Sequence, residues 1–126
     1  HGWCSQEKMH SLYDNALAVV FPSLWHEPAG LVTLEAYRRA RPVVASAVGG
    51  IPEFLRDGET GLLVPPDDTE ALAAAIDRLC RDLGLAVHLG EQGRAWFEAE
   101  FTLDLHVTRL ATLYRRVLDG AAVVRR

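Results

Sequence analysis

Residues 21–52, FPSLWHEPAGLVTLEAYRRARPVVASAVGGIP, decide how this chain is read. They run from the end of an apolar strand into a loop carrying a carboxylate, then a helix opening at a glycine, a second strand and a Gly-Gly turn. Pro28 disfavours the α region at the residue before it, so Glu27 is expected in extended backbone just outside the helix. Glu35 follows after seven intervening residues. It falls inside the helix, roughly 5 to 8 Å along the axis from Gly30 at ~1.5 Å per residue. Between the two lie the N–H groups of Gly30, Leu31 and Val32, which a helix leaves without internal partners. Such a helix end attracts anions. An anionic ligand there has an acceptor on each side.

The flanking segments fit an alternating pattern. Leu17-Ala18-Val19-Val20-Phe21 is a continuous apolar run, expected as a strand buried on both faces. A second strand covers 42–46, Pro42 to Ser46, and Gly49 and Gly50 turn the chain after it. Pro52 suits the first position of a short helix over 52–56. The cluster Asp57-Gly58-Glu59-Thr60-Gly61 is a turn before a third strand, Leu62-Leu63-Val64. Upstream, Ser5 can cap a helix over 6–15 whose apolar face is Met9, Leu12 and Tyr13. The central helix, about 30–39, is expected to bury Leu31, Leu34 and Ala36. Downstream, Asp67 or Asp68 can cap a helix, Asp67 and Glu70 having capping-box spacing. That helix carries Leu72, Ala73, Ile76, Leu79, Cys80 and Leu83 along one face. A helix over 86–99 carries Val87, Leu89, Trp96 and Phe97. Thr102 caps a last one with the stripe Leu103, Val107, Leu110, Tyr114 and Val117, fraying after Leu118. Short apolar strands alternating with helices predict a Rossmann-like parallel α/β sheet with flanking helices. Ligands of such sheets bind beyond the carboxyl ends of the strands, where Glu27, Gly30 and Gly49 and Gly50 fall.

Composition narrows the function. The chain has 126 residues, 49% hydrophobic, enough for one globular core. A net charge of −4 without a basic stripe argues against nucleic acid as a partner. No apolar run reaches the ~20 residues of a membrane span, and no signal-peptide pattern opens the chain. Cys4 and Cys80 lack metal-ligand spacing and read as thiols in a reducing, cytoplasmic setting. His1, His10, His26, His88 and His106 form no metal-ligand pattern either. The chain opens at His1 rather than methionine, which reads as an excised domain or a processed chain.

The arrangement resembles the retaining glycosyltransferases of family 4, also called group 1, which have the GT-B architecture. Four blocks carry the likeness in order: Glu27-Pro28-Ala29-Gly30-Leu31-Val32-Thr33-Leu34-Glu35-Ala36, Pro42-Val43-Val44-Ala45-Ser46, Gly49-Gly50-Ile51-Pro52-Glu53, and Asp57-Gly58-Glu59-Thr60-Gly61-Leu62-Leu63-Val64. The resemblance implies a nucleotide-sugar donor and no cofactor or metal. It implies that residues 1–126 form a single partial domain, the later part of the donor-binding half. The N-terminal acceptor domain and the upstream arginine and lysine that meet the donor phosphates would be absent. The fragment alone is then expected to be inactive, and to self-associate as a homodimer through an exposed sheet edge.

On the same basis Glu27 holds the donor sugar and is the catalytic residue, and Glu35 accepts the ribose hydroxyls. Gly30, Leu31 and Val32 meet the diphosphate, and Gly49 and Gly50 approach the sugar phosphate. Read plainly, Glu27 is a loop carboxylate favoured by the helix dipole, Glu35 a solvated helix residue, and the glycines a cap and a turn. Arg38, Arg39 and Arg41 are explained by a helix C-terminus, and His26 by the rim of the site. Two positions depart from the family pattern. Ala29 stands where an aromatic is common, which reshapes the donor pocket slightly. Ala40 stands where glycine is usual, at a helix end that favours left-handed backbone. Two other functions fit parts of the sequence. A flavodoxin-like interaction or sensor domain leaves the paired glutamates unused. A glycoside hydrolase sets its carboxylates across the scissile bond, ~5–9.5 Å apart, whereas here a helix N-terminus lies between them.

Overall fold

The structure, a computed structural model, describes residues 2–124, with side chains through 120. Helix α1 (Gln6–Asn15) is capped by Ser5, whose hydroxyl accepts from the Lys8 N–H. Strands β1 (Val19–Phe21), β2 (Val43–Ser46) and β3 (Gly61–Val64) form one parallel sheet in the order β1-β2-β3. Val19 to Phe21 align with Val43 to Ala45, and Val43 to Ser46 with Gly61 to Val64. Helix α2 (Leu31–Arg38) connects β1 to β2, and the short α3 (Ile51–Phe54) follows β2. Helices α4 (Thr69–Arg81), α5 (Leu83–Glu100) and α6 (Leu103–Val124) complete the chain.

Every residue of β2 is buried, as the middle strand of a sheet covered on both faces must be. Its side chains alternate between two clusters, as the period of a strand requires. Val43 and Ala45 join Ala36, Tyr37, Ile51 and Leu55 on one face. Val44 joins Leu62, Val64, Leu79, Ala86 and Leu89 on the other. Helix α5 approaches α2 closely: a Cβ at Gly93 would lie 2.7 Å from Cε1 of Tyr37. The Tyr37 hydroxyl shares a 2.6 Å hydrogen bond with Thr60 Oγ1, and burial pushes its pKa up to about 12.

Five expectations are corrected. Strand β1 is not buried on both faces: Val20 is 42% exposed, because β1 is an edge strand with β2 on one side only. Leu31 is 63% exposed, and the buried face of α2 is Thr33, Ala36 and Tyr37. The inward stripe is therefore set by i and i+3/i+4 spacing from Thr33, which a purely apolar template passes over. Asp68, one of the two caps expected for α4, accepts from the Ala71 N–H at 2.8 Å, but Asp67 adopts a left-handed φ of 61° and no Asp67–Glu70 capping box forms. Helix α5 starts earlier than expected because Asp82 caps it, accepting from the Leu85 N–H at 2.8 Å. The Thr102 cap of α6 is present, its Oγ1 taking the Leu105 N–H at 3.4 Å. The stripe it begins, from Leu103 to Val117, is exposed, and the helix continues past Leu118 to Val124.

The end of α2 matches the expectation drawn at Ala40. Its φ is 52°. The Arg41 N–H reaches the Ala36 carbonyl at 3.0 Å and the Ala40 N–H reaches Tyr37 at 2.8 Å. This is the Schellman pair of bonds that closes a helix through a left-handed residue.

Candidate functional site

Three backbone segments meet beyond the carboxyl ends of β1 and β2. The first is the loop 22–28, which Pro22 and Pro28 keep out of regular structure. Its turn is closed by the Glu27 N–H donating to the Trp25 carbonyl at 2.8 Å. The Ser23 hydroxyl accepts from the Trp25 N–H at 3.3 Å and donates to Glu27 Oε1 at 3.1 Å. Glu27 is thereby oriented by its own loop. Sequence reasoning passed over Ser23; the signal for it was a hydroxyl four residues before the carboxylate, after a proline that ends the strand.

The second segment is the turn at Gly49 and Gly50. Gly49 has a φ of 54°, which costs a glycine little. A Cβ there would lie 2.7 Å from the Glu27 nitrogen. A Cβ at Gly50 would collide with the Pro28 carbonyl oxygen. The Gly50 N–H donates to the Glu27 carbonyl at 2.7 Å. Bare backbone on one side lets the other loop lie directly against it, so the Glu27 backbone is fixed from both flanks.

The third is the start of α2. Gly30 is its N-cap, left-handed at φ 60° and ψ 51°, and no side chain caps the helix. Its missing Cβ also admits the Phe21 ring and Ile51, to which a Cβ would stand at 3.2 and 3.0 Å. The Thr33 N–H bonds the Gly30 carbonyl at 2.9 Å. The N–H groups of Leu31 and Val32 stay open to an anion, and the helix dipole adds a favourable field there.

Glu35 stands one turn along the same helix, exposed, on the face of Leu31. Its Oε2 accepts from the Tyr13 hydroxyl of α1 at 2.9 Å. The two residues line a groove of about 330 Å³ with Gln6, Met9, His10, Arg38 and Arg39. Arg39 Nη1 donates to both carboxylate oxygens of Asp14, at 3.0 and 2.9 Å, and Arg41 donates to the Asp14 carbonyl at 3.0 Å. Those two arginines tie α1 to α2. His26 is exposed, and His1 lies outside the described residues. Among the described residues no three His, Cys, Asp or Glu side chains are grouped to hold a metal ion, and no helix is long and apolar enough to cross a membrane.

The sequence profile described as "Glycosyl transferases group 1" matches residues 1–96. The chain belongs to the group 1 glycosyltransferases. Curated relatives agree. A D-inositol 3-phosphate glycosyltransferase from Streptomyces bingchenggensis is 36% identical over 117 residues, covering 93% of this chain and 25% of that protein. An alpha-maltose-1-phosphate synthase from Mycolicibacterium smegmatis is 42% identical over 116 residues, covering 87% of this chain and 30% of that protein. Among solved structures, sucrose-phosphate synthase from Thermosynechococcus elongatus superposes with a TM-score of 0.88 at 40% identity, over 95% of this chain and 30% of that one. HepE from Anabaena, solved with UDP-glucose, gives a TM-score of 0.76 at 27% identity, over 82% of this chain and 29% of that one. This group 1 glycosyltransferase domain thus spans about 25–30% of the length of these relatives. The structural neighbours are GT-B glycosyltransferases. No match supports the alternative of a non-catalytic sensor or interaction domain.

Proposed function

We propose that this domain binds the donor of a retaining, metal-independent glycosyltransferase. Within a longer protein it would move a sugar from a nucleotide-diphosphate sugar to an acceptor held by a separate N-terminal domain. The observation that carries this reading is the meeting of the Glu27 loop, the glycine turn and the uncapped start of α2 at one sheet edge. The diphosphate lies on the N–H groups of Leu31 and Val32 beside Gly30, which stabilise it as it leaves. Glu27 accepts from the sugar hydroxyls and stabilises the positive charge that builds at the anomeric carbon. Glu35 takes the ribose diol on its carboxylate, an acceptor with two oxygens. Gly49 and Gly50 hold their turn against the Glu27 loop, and the sugar phosphate approaches the backbone of that turn. The helix start meets part of the diphosphate charge with fixed dipoles, and the reading takes no metal or other cofactor. The HepE structure with UDP-glucose supports a nucleotide sugar as the ligand class. The enzyme serves polysaccharide or glycoconjugate biosynthesis in the cytoplasm.

Transfer in the longer protein tests this. The product should keep the donor's anomeric configuration by proton NMR, at a rate unchanged by EDTA. Inversion, or activity lost to EDTA and restored by a divalent ion, would contradict the mechanism.

The exposed edge supports a second part of the reading, a homodimer of the isolated chain. Strand β1 offers unpaired backbone beside Val20, and Leu17 is 37% exposed next to it. An open apolar edge of this kind pairs with another, and a twofold dimer closes it. Sizing across concentrations should show a dimer without sugar transfer. A monomer at every concentration would remove this part.

A further inference from the structure

The structure leaves Glu35 with a single hydrogen-bond partner among the described residues, and that partner comes from a different helix. Tyr13 is half-buried, its ring packed against the cluster of Ala36, Tyr37, Val43, Ala45, Ile51 and Leu55. The platform beneath it is fixed, since Asp14, the next residue, is tied to both Arg39 and Arg41. From that packed ring the Tyr13 hydroxyl donates to Glu35 Oε2 at 2.9 Å.

We propose that Tyr13 is a positioning residue for nucleotide recognition, holding the Glu35 carboxylate in the one rotamer whose remaining lone pairs face a ribose diol. This inference rests on the assignment of Glu35 to the ribose. An exposed glutamate on a helix samples several rotamers, and ordering it on binding costs affinity. A phenol that donates to one oxygen removes that cost in advance and leaves Oε1 wholly open. Two adjacent hydroxyls need a carboxylate in a fixed plane, so the gain falls on the diol rather than on the phosphates. Burial, then the hydrogen bond and charge of Glu35, push the Tyr13 pKa up to about 12. The hydroxyl accordingly keeps its proton, and its role as donor, through the neutral range.

The test uses Tyr13→Phe, which keeps the ring and its packing and removes only the donor. UDP, GDP and ADP are titrated into the chain, and the tightest binder is compared with its 2′,3′-dideoxy form. Tyr13→Phe should weaken the ribonucleotide about three- to tenfold, the worth of one hydrogen bond, and leave the dideoxy form unchanged. It should add no loss in a Glu35→Ala background. If Glu35→Ala weakens the ribonucleotide and Tyr13→Phe does not, the positioning role is overturned while the ribose assignment stands. If Tyr13→Phe weakens both nucleotides equally, or still costs affinity without Glu35, its role is merely structural and the proposal falls. If Glu35→Ala binds all three nucleotides as the unaltered chain does, the ribose assignment itself fails and the inference with it. A measurement without variants is also available. Side-chain couplings of Glu35 should report one rotamer before ligand is added, and averaged couplings would overturn the proposal.

Discussion

Glu27 and Glu35 flank the same helix start and are held in opposite ways. Glu27 sits in irregular backbone clamped by a glycine turn, with Ser23 on its carboxylate. Glu35 stands on a regular, exposed helix face and is steadied by one phenol from another helix. On the proposed reading, the difference separates two tasks. A group that must face charge appearing during a reaction gains most from a backbone that cannot relax, because reorganisation would consume the stabilisation. A group that only recognises a ground-state ligand can stand on a solvated helix and still contribute.

The sharpest way to break this contrast is Glu27→Gln in the longer protein. Turnover should fall roughly 100- to 1000-fold, the usual cost of removing one preorganised electrostatic partner, with nucleotide affinity little changed. Turnover like that of the unaltered enzyme would remove Glu27 from the mechanism. Glu35→Ala should do the reverse, weakening nucleoside diphosphate binding by about 1.5–3 kcal/mol, the worth of hydrogen bonds to a charged group. Calorimetry with the free diphosphate decides it, and unchanged affinity would return Glu35 to the solvated face. Gly50→Ala should separate the two supports from each other. The Pro28 carbonyl leaves no room for a methyl, so the fold should lose about 1–3 kcal/mol and turnover should drop. The Tyr13–Glu35 bond should persist in that variant. Equal loss of that bond would show that the two regions are not independent.

Much of this architecture was legible in the chain itself. The strand blocks, the capping serine of α1, the glycine at the head of α2 and the left-handed end at Ala40 follow from local rules on φ, caps and apolar periodicity. The exposure of β1 was not legible from its own residues, because Val19-Val20-Phe21 reads the same in an edge strand as in a central one. Nor was Leu31 at the surface, since the inward face of α2 is defined by Thr33, whose type does not announce burial. The partners of the two glutamates were hidden for different reasons. Ser23 is local but generic, and Tyr13 meets Glu35 from another helix, packed on the core and flanked by the Asp14–Arg39 pair. Long-range pairing of that kind has no signature in a single sequence.

A smaller effect sharpens the account at the far end of α2. Ala40→Gly should raise stability by up to ~1 kcal/mol, because the left-handed backbone there penalises a Cβ. Thermal unfolding measures it, and a lower midpoint would mean that the Schellman turn holds Ala40 by contacts its methyl makes.

The central claim is that the helix start between the two glutamates is the nucleotide-sugar site. Backbone amide shifts of the chain, followed while UDP, GDP and ADP are added in turn, test it most directly. The account predicts saturable shifts at Gly30, Leu31 and Val32, with Glu35 and Tyr13 moving along the same titration curve for the base the enzyme uses. Saturable binding that leaves those amides still, or no binding by any of the three, would contradict it.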